Sequence, residues 1–103
     1  MCKSRVLIAF PEGYIKRCEE CNSFTLKFNN LSLCLSALAF FQFKNCIQAC
    51  YDEHTQIQTF PNQRCIHFTT RMEGLDFVFS LEELGGLLYN LQAAQLSLIY
   101  DEA

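Results

Sequence analysis

Two serines, Ser36 and Ser80, each stand where an alternating apolar strand ends and a helical repeat begins. Ahead of Ser80 runs Gly74-Leu-Asp-Phe-Val-Phe, which puts Leu75, Phe77 and Phe79 on one face. Behind it runs Leu81-Glu-Glu-Leu, so Glu83 lies three residues after the serine. That is the pattern of a capping box, in which serine and glutamate each satisfy the other's backbone N–H. Ahead of Ser36, Leu31, Leu33 and Leu35 alternate in the same way, after the pair Asn29-Asn30. Strand, cap and helix packed so closely leave few folds open.

The two stretches are related by a shift of 44 residues, which lays residues 21–50 on residues 65–94 without a gap. Identical pairs include Cys21/Cys65, Phe24/Phe68, Leu31/Leu75, Ser36/Ser80 and Gln48/Gln92. Others keep their character, such as Lys27/Arg71, Phe28/Met72, Phe40/Leu84, Phe43/Leu87 and Ile47/Leu91. Shared secondary structure alone would produce some of this, but gapless register is more than it demands. The expected architecture is α+β in two layers. Two β-β-α repeats give one antiparallel sheet with both helices on one face, preceded by a short N-terminal strand or hairpin.

Read in order, the chain is one domain over residues 1–103. Residues 1–21 form a lead-in, with a strand from Arg5 to Phe10, a turn at Pro11-Glu-Gly13, and Tyr14 to Cys18 returning. The first β-β-α unit covers 21–50, with Asn29-Asn30 read as a type I′ turn needing φ > 0 at both positions. Its helix runs from Ser36 to Cys50 or a little beyond, with Phe40, Phe43, Ile47 and Cys50 as an apolar stripe broadened by Phe41. Residues 51–63 are polar, carry Pro61 and read as a loop. The second unit covers 64–98, with a turn at Glu73-Gly74 and a helix carrying Leu84, Leu87, Leu88, Leu91, Ala94 and Leu98. Gly85-Gly86 inside that helix is unfavourable by up to about 2 kcal/mol against alanine, and a close backbone neighbour would account for it. The face left to solvent or a partner carries Thr25, Lys27, Ser32, Cys34, Cys65, His67, Thr69 and Asp76.

Charge narrows the function classes. The formal net charge is −3 and the basic residues are scattered singly, so no stripe exists to displace counterions from nucleic acid. An acidic membrane surface would repel the chain, and no window approaches the ~20 apolar residues of a spanning helix. Val6 to Phe10 is too short for the apolar stretch of an export signal. Seven cysteines, an odd number, then fit reduced thiols in the cytoplasm better than a disulfide framework.

Chemistry could reside first in Cys18-Glu-Glu-Cys21, whose spacing lets two thiolates meet one tetrahedral Zn²⁺. A structural zinc needs four ligands, and no second such pair exists. Cys46 and Cys50, on one helix face with His54 beyond, are further candidates, as are Cys65, His67 and Cys2. Half-buried thiols are the plainer reading of Cys18 and Cys21. A redox pair would want the first cysteine at a helix N-terminus, and here a strand follows. Cys46 and Cys50 most simply fill a packing face. Cys65 and His67 share a strand face, but no orienting acid or oxyanion loop accompanies them. Glu82 and Glu83 are explained as helix-start charge.

The run Ala39-Phe-Phe-Gln-Phe43, with Tyr51, holds more aromatic surface than one small sheet covers. That favours a homodimer through a helix face or sheet edge. Gly13-Tyr-Ile-Lys-Arg-Cys-Glu-Glu-Cys21, Phe24 to Asn30, Leu31 to Ser36 and Leu75 to Leu84 together resemble an uncharacterised family of small Bacteroidota proteins. The resemblance implies a small cytoplasmic bacterial protein in which Cys18 and Cys21 match the motif, and it carries no activity. The expectation is therefore a non-enzymatic binding or regulatory module acting on a protein partner or on itself, with room for a structural zinc. The alternative is thiol-based redox or metal handling through Cys18 and Cys21.

Overall fold

The computed structural model describes residues 4–56, 62–69 and 73–101. Cys2, the Lys27/Arg71 and Phe28/Met72 correspondences and Pro61 fall outside them. The chain opens with four strands in a meander: β1 (Ser4–Phe10), β2 (Gly13–Cys18), β3 (Ser23–Phe28) and β4 (Leu31–Ser36), each antiparallel to the next. Then come α1 (Ala37–Thr55), the hairpin β5 (Ile66–Thr69) and β6 (Asp76–Phe79), and α2 (Leu81–Asp101). The fold is α+β, as expected.

Alternation sets the faces of the main sheet. Phe24, Leu26 and Phe28 are buried on β3, opposite Leu35, Leu33 and Leu31 of β4 and, for Leu26, beside Ile15 of β2. Both helices cover that face, α1 over β3 and β4, α2 over β1 and β2. Phe40 of α1 stacks on Phe24 with ring centroids 4.3 Å apart, and Leu84, Leu87, Leu91 and Ala94 of α2 are buried against the same core. Tyr51 of α1 reaches Gly85 and Gln48 reaches Gln92, so the two helices run antiparallel.

Four expectations need correction. The strands form two sheets, β1-β2-β3-β4 and β5-β6, where one was expected. Side chains hold the second hairpin: Phe68 meets Phe43 of α1 at 5.6 Å between centroids, and Phe79 meets Phe28 at 6.4 Å. It leans on α1 and the end of β3, and makes no backbone ladder with β4. Second, the two hairpins differ in register. Thr25 pairs with Cys34, so the shift would pair Thr69 with Val78, yet Thr69 pairs with Asp76. A slip of two residues keeps every side chain on its own face, which is why the hydrophobic pattern tolerates it.

Third, α1 runs on to Thr55, past the expected start of the loop. Gln48 Nε2 donates to Asp52 Oδ1 at 2.9 Å, and Thr55 Oγ1 donates to the Asp52 carbonyl at 2.9 Å, so the polar residues bind within the helix. Fourth, only Asn29 of the Asn29-Asn30 turn has positive φ, at 55°, which rules out type I′. Asn29 is held from outside, its N–H donating to the Glu12 carbonyl at 2.8 Å.

Two glycines are explained by space. Gly13 opens β2 after a Pro11-Glu12 turn and lacks positive φ. A Cβ there would land on the carbonyl of Lys27, 2.6 Å from its carbon. Gly85 faces the Tyr51 ring, whose Cε1 would lie 2.9 Å from an added Cβ. The close neighbour expected of that glycine pair is thus a ring and not a backbone, while Gly86 borders open space.

Candidate interaction surface

The described cysteines do not converge on one point. Cys18 ends β2 between Ser4 and Ser23 and is buried. Cys21 is exposed in the following turn, its Sγ 3.1 Å from Ser23 Oγ. That turn closes on Asn22, at φ 53°, whose Oδ1 accepts from Arg17 Nη2 at 3.1 Å. Cys46 is exposed and Cys50 half-buried on α1. Burial, and then the neighbouring Glu53 carboxylate, push the Cys50 thiol above its ordinary range. A thiol kept protonated is a poor nucleophile and a poor ligand. His54 Nδ1 lies 2.8 Å from the Cys50 carbonyl, which can only accept, so Nδ1 carries the proton. Cys65 and His67 are both exposed, and no hydrogen bond joins them. Among the described residues, no three His, Cys, Asp or Glu side chains stand where they could share a metal ion.

Charge converges at one point, Glu83. Its carboxylate accepts from Arg64 Nε at 2.8 Å and Nη2 at 2.7 Å, from Asn29 Nδ2 at 3.1 Å and from the Ser80 N–H at 3.0 Å. Ser80 Oγ in turn accepts from the Glu83 N–H at 3.0 Å, which completes the capping box. The Arg64 hydrogen bonds, ahead of the Ser80 contacts, hold the Glu83 carboxyl below the usual glutamate range. A helix start, the chain before β5 and the β3–β4 turn are thereby tied to one side chain. The sequence shows the box but not Arg64 or Asn29, whose approach depends on tertiary structure.

The remaining feature is a surface. Among the described residues β4 is an edge strand, paired with β3 alone. A two-residue turn makes Phe28 and Leu31 a hydrogen-bonded pair, so the backbone groups of Leu31, Leu33 and Leu35 face β3 and those of Ser32, Cys34 and Ser36 face outward. The other edge, β1, carries Arg5 and a bulge between Val6 and Ile8. Charges and bulges of that kind deter strand pairing; β4 (Leu-Ser-Leu-Cys-Leu-Ser) has neither. Alongside β4, between it, α1 and the β5–β6 hairpin, lies a groove of about 320 Å³. Leu33, Leu35, Phe43, Phe68 and Phe77 line it, with the exposed Cys46 at its wall and no charged side chain among the described residues of its lining. On the opposite sheet face Lys16 Nζ sits 4.5 Å from the Tyr14 ring centroid, beside Thr25 and Lys27. No helix among the described residues is long and apolar enough to cross a membrane.

Residues 1–99 match the model of a family described as a family of unknown function, DUF6686. No curated protein and no solved structure matches the chain.

Proposed function

The chain belongs to this family of unknown function, which passes on no activity, and we propose that it is a small non-enzymatic protein-interaction module of the bacterial cytoplasm. The observation that carries this reading is that, among the described residues, the outer edge of β4 is unpaired and lies beside an apolar groove. Backbone groups on the edge supply hydrogen bonds, and the groove takes alternate side chains, the two requirements of strand addition. The occupant is an extended, uncharged segment of a partner protein with apolar residues at every second position. Five cysteines without a disulfide, Cys18, Cys34, Cys46, Cys50 and Cys65, favour a reducing compartment.

A labelled Leu-Ser-Leu-Ser-Leu-Ser peptide and a scrambled peptide of equal composition test the reading by fluorescence anisotropy, with alkylation of each cysteine mapped by mass spectrometry. The alternating peptide binds and shields Cys46 but not Cys21, which lies in the turn after β2. Equal binding of the scrambled peptide, or an unshielded Cys46, overturns the reading. The thiol-based alternative, redox or metal handling at Cys18 and Cys21, separates from it in native mass spectra. It requires bound metal, or a reversible loss of two thiols, that the Cys18→Ser/Cys21→Ser variant lacks.

A further inference from the structure

The solvent side of the helix layer is nearly uncharged where a helix of this length ordinarily carries charge, and its exposed polar residues, Gln42, Asn45 and Gln92, are neutral amides. From Leu84 to Tyr100, α2 has no charged residue at all, and α1 has only Lys44 between Ala37 and Tyr51. Leu38 and Tyr89 are each 69% exposed and Leu96 is 53% exposed. Tyr89 and Leu96 are two turns apart on one face of α2. Because the helices are antiparallel, Leu38 at the start of α1 lies toward the Leu96 end of α2. Small residues, Ala49 and Gly86, are exposed on the two helices and leave room for close approach.

We infer that this face is the contact surface between two copies of the chain, packed isologously helix layer to helix layer. The inference extends the interaction-module reading, but it uses the helix layer and leaves the β4 groove free. Two arguments select a second copy as the occupant. A net charge of −3 makes self-association unfavourable wherever like charges meet, and this face brings almost none together. Asp52, Glu53 and Glu82 gather instead at the far end of the pair, at the rim. The area is also sufficient. Two helices roughly 10 Å wide and about 30 Å long present about 600 Å² per copy, at the lower bound of a specific interface. A lipid surface is disfavoured, because interfacial helices carry Lys and Arg on the polar side.

Sedimentation velocity of the reduced, full-length chain tests this, with Tyr89→Glu, Tyr89→Lys and Leu96→Glu variants. All three changes sit on exposed positions, and circular dichroism with urea unfolding confirms that each variant folds. The wild type is expected as a dimer at tens of micromolar, and each charged variant weakens it at least about tenfold. A monomeric wild type overturns the inference and gives the face to another protein. A wild-type dimer untouched by the three variants also overturns it. Peptide binding at the β4 groove is read separately and stands or falls without either result.

Discussion

Gln92 Nε2 donates to Gln48 Oε1 at 2.8 Å, and the two residues are 44 positions apart. They are each other's counterparts under the shift that aligns the two β-β-α segments. On antiparallel helices a contact between such counterparts is compatible with a local two-fold between the segments. The helix starts agree, since Ala37 and Leu81 are separated by the same interval. The hairpins obey the relation less well, as the slipped register of β5 and β6 shows.

The two caps are unequal, and their variants should be too. Ser36 Oγ accepts from the Ala39 N–H at 3.1 Å and receives nothing back, because alanine stands at the glutamate position. Ser80 is 3% exposed and sits in a complete box with Glu83. Ser80→Ala should cost about 1–2 kcal/mol and Ser36→Ala about 0.5–1 kcal/mol in urea unfolding. Equal losses would contradict the account.

Glycine changes in α2 should diverge although the residues are adjacent. Gly86→Ala meets open space and should stabilise by about 0.5–1 kcal/mol through helix propensity. Gly85→Ala meets Tyr51, so the same gain is offset until Tyr51→Leu removes the ring. Gly13→Ala should be worse than either, at about 1–3 kcal/mol or more, because its obstacle is the Lys27 backbone. Thermal unfolding of the variants orders them.

Glu83 gives stability a pH dependence. Its folded-state carboxyl titrates below the ordinary glutamate value, chiefly because Arg64 donates to it. The contribution is therefore complete above the unfolded value of about 4.3 and is lost as pH falls through the depressed folded value. Melting temperatures measured from neutral pH downward should show a wild-type advantage over Glu83→Gln that shrinks through this acid range. An advantage independent of pH would remove the carboxylate from the account.

Core position, not residue type, should set the cost of losing a phenylalanine. Phe24 is 1% exposed and stacked on Phe40, so Phe24→Ala should cost about 3–5 kcal/mol. Phe77 lines the groove and is only half-buried, and Phe77→Ala should cost clearly less. Denaturant midpoints compare them directly.

Local chemistry was readable from the chain and long-range placement was not. The alternation of Phe24 to Phe28 and Leu31 to Leu35, the caps at Ser36 and Ser80 and the apolar stripe of α2 act within a few residues, and all appear where the pattern puts them. Leu75 continues the alternation of Phe77 and Phe79 but is 42% exposed, because it lies ahead of β6, which begins at Asp76. Cys18 is buried at a strand end, whereas Cys21, three residues on, is exposed in the turn. No spacing rule reports burial. The groove beside β4 was invisible for a related reason: it exists because two hairpins of like pattern failed to join one sheet.

The most direct measurement is amide hydrogen exchange along β4 in dilute, reduced protein. The account predicts that Ser32 and Cys34, whose amides face outward, exchange far faster than Leu33 and Leu35, which bond to β3. It further predicts that the alternating peptide slows Ser32 and Cys34. Uniformly slow exchange across β4 in the free chain would mean that the edge is already covered, and would contradict the central claim.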